Sequence, residues 1–392
     1  MRFAFLLVPL LACGETSTPQ PDATGSRQWA LNDVSIMFPL PANETERARL
    51  LWLMPRAGEQ GPFFPAAQRD QLPDLNGDVP DSAGYPAAMI TSLRFDPCFP
   101  RLGGESCQAQ LRLVAQPVLT NSDGITMLDD AAAHLFYVLS PTEAETVLAK
   151  LAAIRVGSPA STDGPLGVHP GLAADIAGAT GAAVRALVVD HCRDDNFIRI
   201  TTNSFAFDNW GFARFDREGA TLARQALPGM ETAETSQAWL RQAQRYDLND
   251  PSGTITPRPV SGFTYLLSKA SYSAGAPVDP AFAEHAAATL LSIENPTLTD
   301  SEYIDCASCH LATQARLFAS RNGVTFAGAN KYVPPAGVDT SLTPIAQLDG
   351  NLGVTIAFGY HMQDDGIVPV HVPSISQRTI NESAAIVEFL RR

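Results

Sequence analysis

Beyond Leu11 the 392-residue chain has no apolar run approaching the roughly 20 residues that a membrane-crossing helix needs. It has no Gly-X-Ser-X-Gly elbow, no Walker loop and no dinucleotide fingerprint, so the motif-borne signals of hydrolases and nucleotide enzymes are missing. No repeat period emerges along it. Cationic residues are the minority, 27 Lys+Arg against 41 Asp+Glu, a formal net charge of −14. Such an excess of acid speaks against nucleic acid as a partner and against direct attraction to anionic lipid. The acids are scattered rather than blocked, which reads as a solvated surface.

What is present is enough for two or three domains with their own cores, at an ordinary soluble composition of 45% hydrophobic and 17% charged residues. Arg2 followed by the apolar stretch Phe3 to Leu11 has the grammar of a secretory signal. Leu10-Leu11-Ala12-Cys13 then resembles the lipobox of bacterial lipoproteins. That resemblance implies a signal peptide over 1–12 and a diacylglycerol on Cys13, a stable anchor because it carries two acyl chains. Gly14, where an Asp is associated with inner-membrane retention, implies an outer-membrane lipoprotein facing the periplasm or the cell surface. Residues 13–28, rich in Thr, Ser, Pro, Gly and Asp, read as a flexible tether.

Residues 29–278 read as an α+β domain of no recognised family. Leu93-Arg94-Phe95 and Leu111-Arg112-Leu113 alternate as half-buried strands do, and Ala133 to Leu139 predicts another. Cys98 and Cys107 bracket a Pro/Gly-bearing loop, the expected disulfide of an exported protein. Cys192 is left over as a small buried hydrophobe, with exchange into that pair as its alternative. Ser140-Pro141-Thr142-Glu143 predicts a helix opened by a capping box. Gly164 to Gly181 reads as loop, Val184 to Val189 and Phe197 to Thr201 as strands, Asn209-Trp210-Gly211 as a turn and Glu231 to Tyr246 as a helix. A proline-bearing connector follows at Pro251 to Pro259. Asp190 to Asp195 gathers metal-capable side chains, but neighbours on a strand face opposite ways, so a loop end with one buried His is expected. His134 and His169 read as isolated core or surface residues.

The most informative string is Cys306-Ala307-Ser308-Cys309-His310, the haem attachment signature of c-type cytochromes. Helices are expected over Ala281 to Ile293, Ser301 to Arg321 and Asn381 to Leu390, the last with Asn381 as N-cap. With this order, residues 279–392 resemble the small all-α class I cytochrome c domain. The resemblance implies one covalent haem c, thioether bonds to Cys306 and Cys309, and His310 as proximal iron ligand. A carbonyl near Pro334-Pro335 would orient the ring. It also implies a distal ligand in the loop before the last helix: Met362, with His361 or His371 as alternatives, or no protein ligand.

Two rival chemistries stand beside this. As a zinc site, the string lacks a second ligand pair at finger spacing. As a thiol redox motif, it lacks a βαβ setting. The function expected is one-electron transfer at the bacterial cell envelope with an unidentified redox partner protein. A haem c-dependent peroxidase or oxidase, its substrate site in the N-terminal domain, is the alternative. A surface binding or sensory lipoprotein with a regulatory haem domain is another.

Overall fold

The computed structural model describes residues 28–53, 63–72, 85, 88–100, 102, 104, 107–120, 126–158, 161–206, 209–228, 233, 235–240, 280–321, 323–342, 357–363 and 370–392. The segments expected to be a signal peptide, a lipidated Cys13, a tether (as far as residue 27) and a connector at 251–259 lie outside them. Among the described residues, no helix is long and apolar enough to cross a membrane.

The chain is a mixed α+β protein built on one antiparallel sheet. Strands β1 (Ser35–Met37), β2 (Ala88–Phe99), β3 (Gln108–Thr120), β5 (Ala132–Val138), β6 (Phe197–Ala206), β7 (Asn209–Glu218) and β8 (Thr221–Gln225) lie side by side in chain order. Two further strands sit off this path: β4 (Thr126–Leu128) pairs with β3, and β9 (Ser236–Leu240) pairs with β7. Cys98 and Cys107 form the expected disulfide across the β2–β3 hairpin.

One face of the sheet is apolar. Leu93, Leu111, Leu113, Leu135, Tyr137, Ile200 and Phe215 pack there against α3 (Pro141–Gly157) and α5 (Ala179–His191). Helix α3 starts as its sequence predicts, with Pro141 in the first turn and a reciprocal pair. Glu143 N–H donates to Ser140 Oγ at 3.3 Å, and Ser140 N–H donates to Glu143 Oε2 at 3.0 Å. The Asp190 to Asp195 segment begins in the last turn of α5 and bends into a single 3-10 turn, with His191 buried.

Four expectations in this region fail for tertiary reasons. Val184 to Val189 lies inside α5, because Val184, Leu187, Val188 and His191 form a buried stripe at helical spacing that outweighs the strand preference of valine. The preceding Gly164 to Gly181 segment holds the short helix α4 (Pro170–Ala174) and the start of α5. Asn209 to Gly211 opens β7, and Ser236 to Leu240 is strand where a helix is expected. The cause is shared: β8 covers β7 over Arg214 to Glu218, and β9 supplies the backbone partners that Asn209 to Ala213 require.

The C-terminal third is not all-α. It contributes α6 (Pro280–Glu294), α7 (Cys306–Arg321) and α8 (Gln377–Arg391), but also a hairpin of β10 (Phe358–Gln363) and β11 (Val370–Ile375). Phe358 and Tyr360 alternate inward, a period of two that outweighs the loop reading of this stretch. Gln116 on β3 grips β10 as a backbone would: it accepts from Tyr360 N–H at 2.7 Å and donates to Tyr360 O at 2.8 Å. Ser376, not Asn381, caps α8; the Asn381 amide donates instead to Glu294 O at 2.8 Å. Ile380, Ala384, Ile386 and Val387 of α8 share a core with α1 (Leu31–Val34), Met37 and the hairpin; the one-turn α2 (Glu44–Arg47) follows β1.

Gln116 also donates to Asp129 O at 2.9 Å, so Gln116→Ala strands three buried backbone groups. Each costs about 1–3 kcal/mol unpaired, against about 1 kcal/mol for the exposed cap change Ser140→Ala. Urea denaturation should rank Gln116→Ala clearly lower in midpoint than Ser140→Ala; equal midpoints would refute the clamp.

Candidate functional site

The second face of the sheet carries charge where a solvated face is the simplest reading. Side chains alternate along each strand, so Arg94, Arg112, Phe136 and Arg199 fall on the face opposite the leucines. In register they form one cross-strand row: Arg94 opposite Arg112, Arg112 opposite Phe136, Phe136 opposite Arg199, and Arg199 opposite Asp216. The next row runs Val114, His134, Thr201 and Arg214. The Arg112 guanidinium carbon stands 4.1 Å from the centre of the Phe99 ring and 5.2 Å from that of Phe136.

Over this face lies the first turn of α7, and its position is set by β9. Asp305 caps the helix, accepting from Ser308 N–H at 2.9 Å. Gln237 of β9 donates to Asp305 Oδ1 at 2.8 Å and accepts from Ala307 N–H at 3.0 Å. Two of the orphan helix N–H groups are thereby satisfied by buried partners. Cys306, Cys309 and His310 follow at positions that share one helix face, and all three line a cavity between α7 and the sheet. Its other walls are apolar side chains such as Val114, Phe136, Ile304 and Phe358, together with five arginines, Arg94, Arg112, Arg199, Arg214 and Arg378.

His310 meets two rings. Its centroid is 5.5 Å from that of His134 at an interplanar angle of 31°, and 5.2 Å from that of Phe212 at 58°. His134 is thus part of the site, and nothing local in the sequence marks it. Only the register of β5 against its neighbours aims it at α7.

The other expected ligands lie elsewhere. Met362, His361 and His371 do not line this cavity. Met362 donates its N–H to Asp130 Oδ1 at 2.7 Å, and His361 Nδ1 lies 2.6 Å from Asp130 Oδ2. His371 Nε2 accepts from Leu128 N–H at 2.8 Å. The Pro335 carbonyl accepts from Val338 N–H. His169 caps α4 and Cys192 is a buried free thiol, both away from the cavity lining.

The arginines are held by carboxylates in two groups. Asp96 lies 3.2 Å from Arg94 Nε and 2.7 Å from Arg112 Nε, and Glu382 lies 2.5 Å from Arg94 and 2.7 Å from Arg378. Asp216 and Glu302 bridge Arg199 and Arg214 at 2.7–3.0 Å. Five guanidinium groups therefore face four carboxylates. Arg112 is the least compensated: burial, reinforced by Arg94, pushes its pKa down to about 10 despite Asp96. Its Nε contact with Asp96 lacks hydrogen-bond geometry. Glu382 is the reverse case. Burial opposes its charge, but Arg94, Arg378 and Arg112 outweigh it and hold its pKa well below the usual carboxylate range.

Cys306 and Cys309 are free thiols. Burial, then the Glu382 charge, pushes Cys309 up to about 11; burial with Asp305 and Cys309 raises Cys306 further. Both thiols are therefore protonated at neutral pH. Burial first, then His310, Arg112 and Arg94, pushes His134 down to about 3, so its ring is neutral.

Comparison of the chain with protein-family models, with characterised proteins and with solved structures finds no match.

Removing Glu382 leaves three buried guanidinium groups with one carboxylate fewer, and Glu382→Ala should cost about 3–5 kcal/mol. Because the folded pKa of Glu382 is depressed, its contribution is complete above the ordinary carboxylate value. It is lost as pH falls through the lower, folded-state value. Urea midpoints measured through the acid range should fall more steeply in the wild type than in Glu382→Gln; parallel curves would remove Glu382 from the acid response.

Proposed function

We propose that this chain is an exported c-type haem protein, anchored through a lipid on Cys13, that passes single electrons to an unidentified protein partner at the bacterial cell envelope. The observation that carries the reading is the convergence of Cys306, Cys309 and His310 on one cavity walled by apolar side chains and arginines. This donor set suits a haem c: two protonated thiols for thioether bonds, an imidazole beside them, apolar walls for the macrocycle and surplus guanidinium charge for its carboxylates.

When bound, the haem would supply a reversible one-electron couple at its iron. The chain's own residues do the rest. Cys306 and Cys309 would hold the group to α7, and the Gln237–Asp305 clamp fixes α7 to the sheet. Phe99, Val114, Phe136 and Phe358 limit water at the site. Arginines of the cavity such as Arg112 would pair with the group's carboxylates.

A peroxidase or oxidase would need an open pocket across the cavity from His310, on the sheet wall. That wall carries His134, in ring contact with His310, which favours a carrier over a catalyst.

The test is a haem stain on denatured full-length protein, expressed with the cytochrome c maturation machinery. A covalent haem band is expected, absent in Cys306→Ala/Cys309→Ala and retained in Cys13→Ala, which should lose lipid label and membrane association. A wild type without covalent haem, or a double variant that keeps it, would reject the reading.

A further inference from the structure

This inference rests on the haem reading and concerns the ligand opposite His310. We propose that His134, on the interior strand β5, is the second axial ligand of the haem iron.

His134 and His310 approach one another from opposite walls of the cavity, one from the sheet and one from α7. Two imidazoles on opposite sides of one metal ion keep their coordinating nitrogens roughly 4 Å apart and their ring centres, each about 1 Å further out, roughly 6 Å apart, since each metal–nitrogen bond is about 2 Å. The observed ring-centre separation of 5.5 Å is of that order. Neither ring nitrogen of His134 makes a hydrogen bond to another described residue. The strand that carries it is hydrogen-bonded on both sides, to β3 and to β6, with Val114 and Thr201 directly opposite. A ligand on such an element is held in place before the metal arrives. Met362, His361 and His371 sit on a separate hairpin, fastened to Asp130 and Leu128. Two histidines set a lower potential than a histidine–methionine pair.

The experiment compares full-length, haem-loaded wild type with His134→Ala, His134→Met, Met362→Ala, His361→Ala and His371→Ala. Haem staining, absorbance and electron paramagnetic resonance of the ferric form, and midpoint potential are read. Covalent haem is expected in every protein. The wild type should be six-coordinate and low-spin; His134→Ala should lose the low-spin species entirely and regain it on adding imidazole. His134→Met should stay low-spin with a raised potential, and it carries the test alone if the alanine variant fails to fold. The three hairpin variants should match the wild type. A high-spin wild type, or a low-spin His134→Ala beside a high-spin hairpin variant, overturns the ligand assignment and leaves the haem intact. Absence of covalent haem in the wild type overturns the haem reading and this proposal together.

Discussion

Glu382 lies within ion-pairing distance of Arg94 on the sheet and of Arg378 one turn before it on α8, and accepts from Ser301 at 3.0 Å. Arg378 in turn donates to Ile293 O at 2.9 Å and Thr299 O at 2.7 Å, which ties in the end of α6. One carboxylate thus joins the sheet, the last helix and the segment leading to α7. Charges so deeply placed are costly to desolvate and are tolerated only when each has partners with good geometry. The arrangement cannot be altered piecemeal, because removing any member leaves another buried and uncompensated. The cavity is shaped by this constraint more than by apolar packing.

The same strands serve two unlike layers. Leucine, tyrosine and phenylalanine on one face meet α3 and α5 in an ordinary core. Arginine, histidine and threonine at the intervening positions meet α7 and α8. Alternation in Leu93-Arg94-Phe95 and Leu111-Arg112-Leu113 predicts strands correctly, and both are strands. It also implies that the arginines face water, and there the implication fails. A second helical layer covers them, so the polar face is an interior surface with paired charges.

What local chemistry decides was legible in the sequence: the capping box at Ser140, the Cys98–Cys107 bridge, the helix at Ala281, the helix expected from Ser301 (which starts only at Cys306), and the placing of Cys306, Cys309 and His310 on one helix face. What pairing across the chain decides was not. Ser236 to Leu240 becomes strand because β7 has an uncovered half. Phe358 to Gln363 becomes strand because Gln116, far away in sequence, offers its amide to Tyr360. His134 becomes part of the site through the register of β5 alone; no neighbouring residue distinguishes it from a core histidine. The formal charge of −14 likewise conceals a cavity in which guanidinium groups outnumber carboxylates. Net charge describes the solvated surface and is silent about the interior.

That local excess gives the haem reading a thermodynamic side. A buried cation short of a partner is destabilising, and Arg112, stacked between Phe99 and Phe136 with its pKa lowered, is in that position. An anionic group entering here would exchange its hydration for guanidinium contacts and relieve a cost the chain already bears. Binding and folding stability would then be linked through the same arginines that fasten α8 to the sheet. Those arginines would hold the fold only partly compensated until the ligand completes them, and apolar residues in their place would give a more stable but empty sandwich.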